Sequence, residues 1–262
     1  MCCGATSEEP MADESNKAFP ASPVTRVPIA LMLAGTAGAA DSIGFLEFSQ
    51  LFMSFMSGNT TRFGVAVAGF DWDGATRFAS VIALFCFGAC IGTLIAAWSG
   101  RFRLTVLLII QAVLFAIGLF VPFGTTAFPL HAYPIVLALG IQNATLQDEA
   151  GRSLAITYVT GTVVRFGAGI ANLILHKPAP SFWLQAPLWG ALSTGAVIGG
   201  FLHGWYGERA FLFPAGLAAL LAVVSLVLTV LLKDTPYVSG LAAPQPDAHP
   251  EAKPTATVPA AT

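Results

Sequence analysis

The stretch SVIALFCFGACIGTLIAAW, residues 80–98, carries no charge, and as an α-helix it is about long enough to cross the hydrocarbon core of a bilayer. It belongs to a set of eight apolar blocks, which lie at about 27–48, 54–70, 77–98, 103–121, 130–147, 157–175, 183–205 and 211–232. Of the 262 residues, 55% are hydrophobic and 10% are charged, against about 25% charged residues in a soluble domain. The sequence therefore predicts an all-α, polytopic membrane protein whose immediate partner is the lipid bilayer.

The two ends of the chain have a different composition. Residues 1–26 and the Pro- and Ala-rich residues 236–262 predict disordered tails. The net charge of −2 excludes a basic nucleic-acid-binding protein, so no nucleic-acid partner is expected.

Two of the apolar blocks carry the same polar interruption. FMSG at 55–58, followed by RFG at 62–64, returns as YVTG at 158–161, followed by RFG at 165–167, at an offset of 103 residues. Other landmarks return at offsets of 102 and 107: Gly38, Asp41 and Glu47 match Gly140, Asn143 and Glu149, and GACIG at 88–92 with Trp98 matches GAVIG at 195–199 with Trp205. Their order predicts an internal two-fold repeat, with membrane copies at 27–121 and 130–233.

The interrupted blocks decide the number of crossings. If 54–70 and 157–175 both span, the protein has eight spans and parallel copies. If both are broken or re-entrant, it has six full spans and inverted copies. The six-span arrangement gives the stronger excess of positive charge on the cytoplasmic side, because only Arg77 and Arg209 fall outside. We therefore expect six transmembrane helices and two broken segments, with both termini in the cytoplasm.

Arg62 and Arg165 occupy equivalent places in the two copies. An arginine at mid-membrane costs about 2.5–3.5 kcal/mol on insertion scales, so it usually faces protein or a water-filled cavity. The pair predicts cations that flank an anion path. The alternative is that each arginine pairs with an acid or extends to a headgroup, and only stabilises the fold.

Short polar residues and glycine precede each arginine. Such residues suit a discontinuous membrane helix, whose new start would direct amides towards a substrate. Asp41 lies deep in the first block, where it either pairs statically with an arginine or exchanges a proton during transport. The candidate substrate-binding residues are Asp41, Ser57, Gly58, Asn59, Thr60, Arg62, Gln142, Asn143, Thr160, Gly161, Thr162 and Arg165.

Several functional classes lack sequence support. Cys86 and Cys90 have no neighbouring histidine cluster, so we assign no metal site. The sequence contains no Ser-His-Asp pattern, phosphate loop or zinc-protease helix, so we expect no catalytic residue, no cofactor and no enzyme. Gln111, in the middle of a block, is expected to donate a hydrogen bond between helices.

A combination of motifs resembles a known family. Gly38-x-x-Asp41, the segment Met56 to Asn59, Gly140-x-Gln142-Asn143 and the segment Thr160 to Thr162 are similar to those of the YoaK-like bacterial membrane proteins. The family usually has threonine where this chain has Ser57. The resemblance covers about residues 27–233. It implies a helical inner-membrane protein, and because the family is a domain of unknown function, it supplies no substrate.

The residues themselves favour a small secondary transporter or channel for a small anion or anionic metabolite. Arg62 and Arg165 would hold the anion, the amides would add neutral hydrogen bonds, and Asp41 would carry the proton. A non-transporting membrane scaffold is the alternative, in which the repeated motif only packs helices. The sequence leaves homo-oligomer formation open.

Overall fold

The computed structural model describes residues 23–120, 130–145, 159–176 and 182–231. These residues form eight α-helices and contain no strand. The helices are α1 (Pro23–Glu47), α2 (Met56–Ala68), α3 (Trp72–Trp98), α4 (Arg103–Phe120), α5 (Ala132–Gln142), α6 (Val159–Ile174), α7 (Phe182–Tyr206) and α8 (Leu212–Leu231). Of the proposed tails, residues 1–22 and 236–262 lie outside the described residues, whereas residues 23–26 form the start of α1. The junction near 122–129 and Glu149 also lie outside, as do the side chains of 23–26, 159 and 182–185.

Four stretches are long and apolar enough to cross a membrane: Val27–Glu47, Trp72–Trp98, Gly100–Phe120 and Ala186–Leu231, the last of which contains most of α7 and all of α8. Their outward faces carry exposed apolar side chains such as Phe87, Val113 and Val223, which suit contact with lipid. The prediction of a helical membrane protein is therefore confirmed. α5 is a shorter apolar helix.

α2 and α6 are shorter than a membrane crossing. They have 13 and 16 residues, which correspond to about 20 and 24 Å of helix, against a hydrocarbon core of about 30 Å. α2 packs against α3, and α6 packs against α7.

Glycines allow two pairs of helices to approach closely. In the pair of α1 with α7, a Cβ on Gly38 would collide with the carbonyl of Leu192, and a Cβ on Gly195 would collide with that of Gly35. In the pair of α3 with α5, a Cβ on Gly88 would lie 2.6 Å from the carbonyl oxygen of Leu137. Small residues at such crossings allow the backbones to make close van der Waals contact, which is a main source of helix association in membranes.

Two hydrophobic clusters give the relative directions of the first helices. The second half of α1, with Ala40 and Ile43, packs in one cluster with the first half of α3, represented by Phe78. The first half of α1, with Leu33, packs in another cluster with Leu104 at the start of α4. Helices α1 and α3 therefore run antiparallel, and α1 and α4 run parallel.

Contacts of the later helices extend this pattern. Gly118 near the end of α4 lies against the carbonyl of His131 at the start of α5. The ends of α1 and α7 meet, and Thr105 at the start of α4 bonds Ser225 in the second half of α8, with 2.8 Å between their hydroxyl oxygens. α1, α4 and α7 consequently point one way, and α3, α5 and α8 point the other way.

Candidate functional site

The chain turns back into the protein immediately after α1. Ser49 and Gln50 have φ angles of 50° and 66°, in the left-handed region that reverses the chain. Leu51 and Met53 are then fully buried, and α2 begins three residues after Met53. Because α3 begins at the end of the molecule where α1 ends, the segment that contains α2 both enters and leaves at that end.

Asp41 anchors the start of this segment. Its carboxyl accepts hydrogen bonds from the amide of Ser54 (2.6 Å), the hydroxyl of Ser54 (2.6 Å) and the amide of Phe55 (3.3 Å). Within the described part of the chain, Asp41 has no ion pair with an arginine, so the static arginine pair that we expected is replaced by another partner. The reason is that the non-helical turn before α2 releases amide donors next to the carboxyl.

Asn59 binds the same turn from the other side. Its Nδ2 donates to the carbonyl of Phe52 (2.8 Å), and its Oδ1 accepts from the amide of Phe52 (3.1 Å). The side chain is fully buried. Both ends of the amide group are therefore occupied by the protein's own backbone, in a position where we expected them to face a substrate.

The other small residues of α2 divide into packing and exposed positions. A Cβ on Gly58 would lie 2.8 Å from the rings of Phe52 and Phe55, so this position requires glycine. Ser57 and Thr60 are exposed, and the hydroxyl of Thr60 donates to the carbonyl of Met56 one turn earlier (2.8 Å). The hydroxyls of α2 thus lie at its outer surface.

Arg62 lies between aromatic rings. The central carbon of its guanidinium is 5.2 Å from the ring centre of Phe45 and 6.0 Å from that of Phe78, which are cation–π distances. No carboxylate of the described residues forms an ion pair with Arg62. The guanidinium packs between these rings, and in the described part of the chain no carboxylate balances it.

The corresponding polar residues of the predicted second copy lie on α6. Thr160 and Arg165 are exposed, Gly161 is half-buried and Thr162 is buried. Since α6 packs against α7 while α2 packs against α3, Arg165 and Arg62 lie on helices with different neighbours. The described contacts do not join the two arginines in one cluster, so a cavity shared by both remains a prediction.

Two glutamines form a buried polar chain between three helices. Nε2 of Gln111 on α4 donates to Oε1 of Gln142 on α5 (2.6 Å), and Nε2 of Gln142 donates to the carbonyl of Leu33 on α1 (3.0 Å). Gln111 therefore donates between helices as expected, and its own Oε1 has no partner among the described residues. Asn143 follows α5 and donates to the carbonyl of Leu139 (2.9 Å).

Sequence reasoning missed several residues that hold this architecture. Ser54 and Phe52 supply the groups that bind Asp41 and Asn59, and no spacing rule indicates a backbone partner. His203 bonds Glu47, which lies 156 residues away in the chain. Among the described residues, no group of three or more His, Cys, Asp or Glu side chains could hold a metal ion.

Comparison with known proteins agrees with the membrane architecture. Residues 29–224 match the family described as "Protein of unknown function (DUF1275)". A UPF0700 transmembrane protein of Rhizobium meliloti (strain 1021) is 31% identical over 186 residues, which cover 71% of this chain and 79% of the relative. No solved structure matches the chain. The resemblance seen in the motifs, to a membrane-protein family of unknown function, is confirmed.

Proposed function

Because the chain belongs to the DUF1275 family, whose function is unknown, we propose a function from the geometry of its own helices. The protein is a small transporter or channel for small anions, built from two inverted copies of one unit, in the inner membrane of a bacterium. The observation that carries this proposal is the equivalence of the contacts that the two copies make.

Equivalent residues make equivalent contacts at both close helix crossings. Gly88 meets Leu137, and its counterpart Gly195 meets Gly35, which is the counterpart of Leu137 at the offset of 102. Gly140 meets Phe85 and Ala89, and its counterpart Gly38 meets their counterparts, Leu192 and Ala196. In the same way, Gly92 meets Ile141 and Ala144, and its counterpart Gly199 meets Ala39 and Ser42. An internal repeat explains this agreement, since unrelated helix pairs would have no reason to share it.

The directions of the helices support inversion of the copies. The first copy contains α1, α3 and α4, and the second contains α5, α7 and α8 as their counterparts. Each helix runs opposite to its counterpart, as the clusters and end contacts above require. An inverted arrangement needs an odd number of crossings in each copy, which favours six spans with α2 and α6 re-entrant.

Inverted repeats with interrupted helices are typical of secondary transporters, in which such segments line the substrate path. Inversion gives each face of the membrane its own re-entrant segment and its own arginine. We therefore assign Arg62 to the path from the face where α1 ends, and Arg165 to the path from the opposite face. An uncompensated guanidinium attracts an anion, and its planar fork suits a carboxylate or phosphate.

The positive-inside rule orients the molecule. With α1 starting in the cytoplasm, the connection from α3 to α4 is cytoplasmic, with Arg101 just before α4 and Arg103 as its first residue, whereas Arg209 lies in the connection at the other end. Both termini are then cytoplasmic. The face where α1 and α7 end is the outer face.

A specific observation favours the second candidate, a non-transporting scaffold. The polar groups of Asp41, Asn59 and Gln142 all form hydrogen bonds within the protein, so these candidate ligands stabilise the fold in the described structure. A scaffold needs only such stabilising hydrogen bonds. The two functions differ in what Arg62 and Arg165 must do, because a scaffold needs a cation there but not a planar fork.

Uptake into proteoliposomes tests the proposal. We expect the purified protein to take up at least one member of a panel of inorganic anions and short carboxylates, measured with and without a pH gradient. Losing one charge-assisted contact costs about 1.5–3 kcal/mol, so Arg62→Lys and Arg165→Lys are each expected to weaken apparent affinity roughly ten- to a hundredfold.

The matched control is Arg209→Lys, an exposed arginine in the loop between α7 and α8, which is expected to leave uptake unchanged. If folded protein takes up none of the anions, the transport proposal is wrong and the scaffold stands. Equal uptake by the lysine variants and the wild type would remove the arginines from the site.

A further inference from the structure

A histidine–carboxylate pair joins the ends of α1 and α7. Nε2 of His203 lies 2.8 Å from Oε2 of Glu47, the last residue of α1. The two side chains are 20% and 32% exposed, so protons from the solution reach them. The same end of these helices is packed by stacking of Phe48 on Phe211, whose ring centres are 5.9 Å apart.

A second pair of the same kind lies at the same end of the molecule. Nδ1 of His131, at the start of α5, lies 3.3 Å from Oε1 of Glu208, in the short 3-10 helix that joins α7 to α8, and 3.3 Å from the carbonyl oxygen of Gly118 near the end of α4. These side chains are 31% and 40% exposed. The two pairs therefore connect four elements that meet at the outer face: α1, α7, the 3-10 helix and α5.

At the opposite end of the helices, the described residues contain no histidine paired with a carboxylate. At the offsets of the repeat, His203 corresponds to Ala96 and His131 corresponds to Ile29, and neither of these can titrate. Glu208 corresponds to Arg101. The histidines thus distinguish one face of an otherwise repeated architecture.

The elements that meet at this end of the molecule carry further ionisable groups. They are Asp71, Asp73 and Arg77 at the start of α3, and Arg209 in the 3-10 helix. Asp41 on α1 is engaged by Ser54. Glu47 is the carboxylate within ion-pair distance of His203.

We propose that the His203–Glu47 and His131–Glu208 pairs form a proton-controlled latch on the outer face of the protein. Histidine is the side chain that most often changes charge near neutral pH, and a protonated imidazole forms an ion pair with a carboxylate. Acidification therefore strengthens the contact of His203 with Glu47 and that of His131 with Glu208, and it holds their helices together. A neutral imidazole leaves only weaker hydrogen bonds.

In the proposed transporter, the latch would act as a gate, because acidification outside the cell favours the conformation that is closed on the outer face. This role as a gate rests on the proposed function, whereas the latch itself is a property of the helix ends. Partly exposed ion pairs change an equilibrium constant by about two- to fivefold each.

A distance measurement tests the latch without any transport assay. Nitroxide labels are attached through cysteines at Leu46 and Tyr206, which are exposed near the ends of α1 and α7, in a full-length chain whose natural cysteines are replaced by alanine. Double electron–electron resonance in lipid nanodiscs then gives the populations of short and long distances at pH 7.5 and pH 5.5. We expect acidification to raise the ratio of the short to the long population about two- to fivefold.

Variants identify the groups responsible. His203→Gln keeps a hydrogen-bonding side chain that cannot charge, and it is expected to remove most of the pH response. Glu47→Gln is expected to do the same from the partner side, and it serves if the histidine variant folds poorly. His176→Gln changes an exposed histidine after α6 and is the matched control, with an unchanged response.

The latch is refuted if the wild type shows the same distances at both pH values, or if the response survives in the double variant His203→Gln with His131→Gln. Either result leaves the uptake experiment unaffected. Conversely, a pH-dependent distance in a protein that takes up no anion would keep the latch and end the transport proposal.

Discussion

The hydrogen bonds between Asp41 and Ser54 form a joint that holds the segment containing α2 against α1, and the energy of this joint can be measured by removing each partner. Ser54→Ala deletes only the bond from its hydroxyl to Asp41, so we expect a loss of about 1 kcal/mol in the free energy of unfolding. Asp41→Ala deletes all three bonds and leaves two backbone amides without their acceptor, for which we expect about 3–5 kcal/mol.

The double variant provides the sharper number. Once Asp41 is alanine, the hydroxyl of Ser54 has already lost this partner, so the second substitution is expected to cost less than it does in the wild type. The interaction energy of the cycle is then about 1 kcal/mol. Asp41→Asn retains an oxygen that can accept from both amides, and it is expected to fall between the wild type and Asp41→Ala.

Unfolding of the purified protein by SDS in mixed micelles measures these free energies. Ser42→Ala is the matched control, since the Ser42 hydroxyl lies one residue from Asp41 and bonds only the carbonyl of Ala39 in its own helix. Costs that simply add in the double variant, or an Asp41→Ala cost under about 1 kcal/mol, would show that the joint does not hold the segment.

Two further predictions test the architecture. A cysteine introduced at Ser99, in a chain otherwise free of cysteine, is expected to react with an impermeant reagent only from the cytoplasm, whereas labelling from the periplasm would exclude the six-span arrangement. Gly88→Ala and Gly195→Ala are expected to lose about 1–3 kcal/mol each in SDS unfolding, because the added Cβ meets backbone at a helix crossing, while Gly200→Ala on α7 meets open space and costs nothing. A clear difference between the Gly88 and Gly195 variants would count against equivalent copies.

The sequence predicted the helical elements because the cost of burying charge in lipid leaves a strong pattern. The block at 54–70 corresponds to α2 at Met56–Ala68. The polar interruption predicted at 57–62 lies inside this helix, and the non-helical turn lies just before it. The apolar block at 77–98 misses the first five residues of the helix, since α3 begins at Trp72. There Asp71 accepts a hydrogen bond from the amide of Gly74 (2.9 Å), so the acidic residues that ended the apolar block are the ones that favour the helix start.

The sequence could not predict which groups form hydrogen bonds with the buried polar residues. The cost of burying Asp41 indicates that it must have a partner, but an arginine, a hydroxyl and a free amide all satisfy that need. The choice depends on where the backbone leaves its helix, which is a property of the folded turn before α2. Asn59 shows the same limit, because its two partners are backbone atoms of Phe52 and leave no trace in residue types.

The residues that differ between the copies bear most directly on how the proposed transporter works. If two inverted copies were identical, conformations open to either face would have equal free energy, since the symmetry exchanges them. Each difference therefore biases the equilibrium between the faces. Asp41 corresponds to Asn143, and His203 corresponds to Ala96, so both changes place an ionisable group in one copy only. Both lie in the half of the molecule where α1 ends, so in the proposed transporter the conformation of that half is expected to depend on protons.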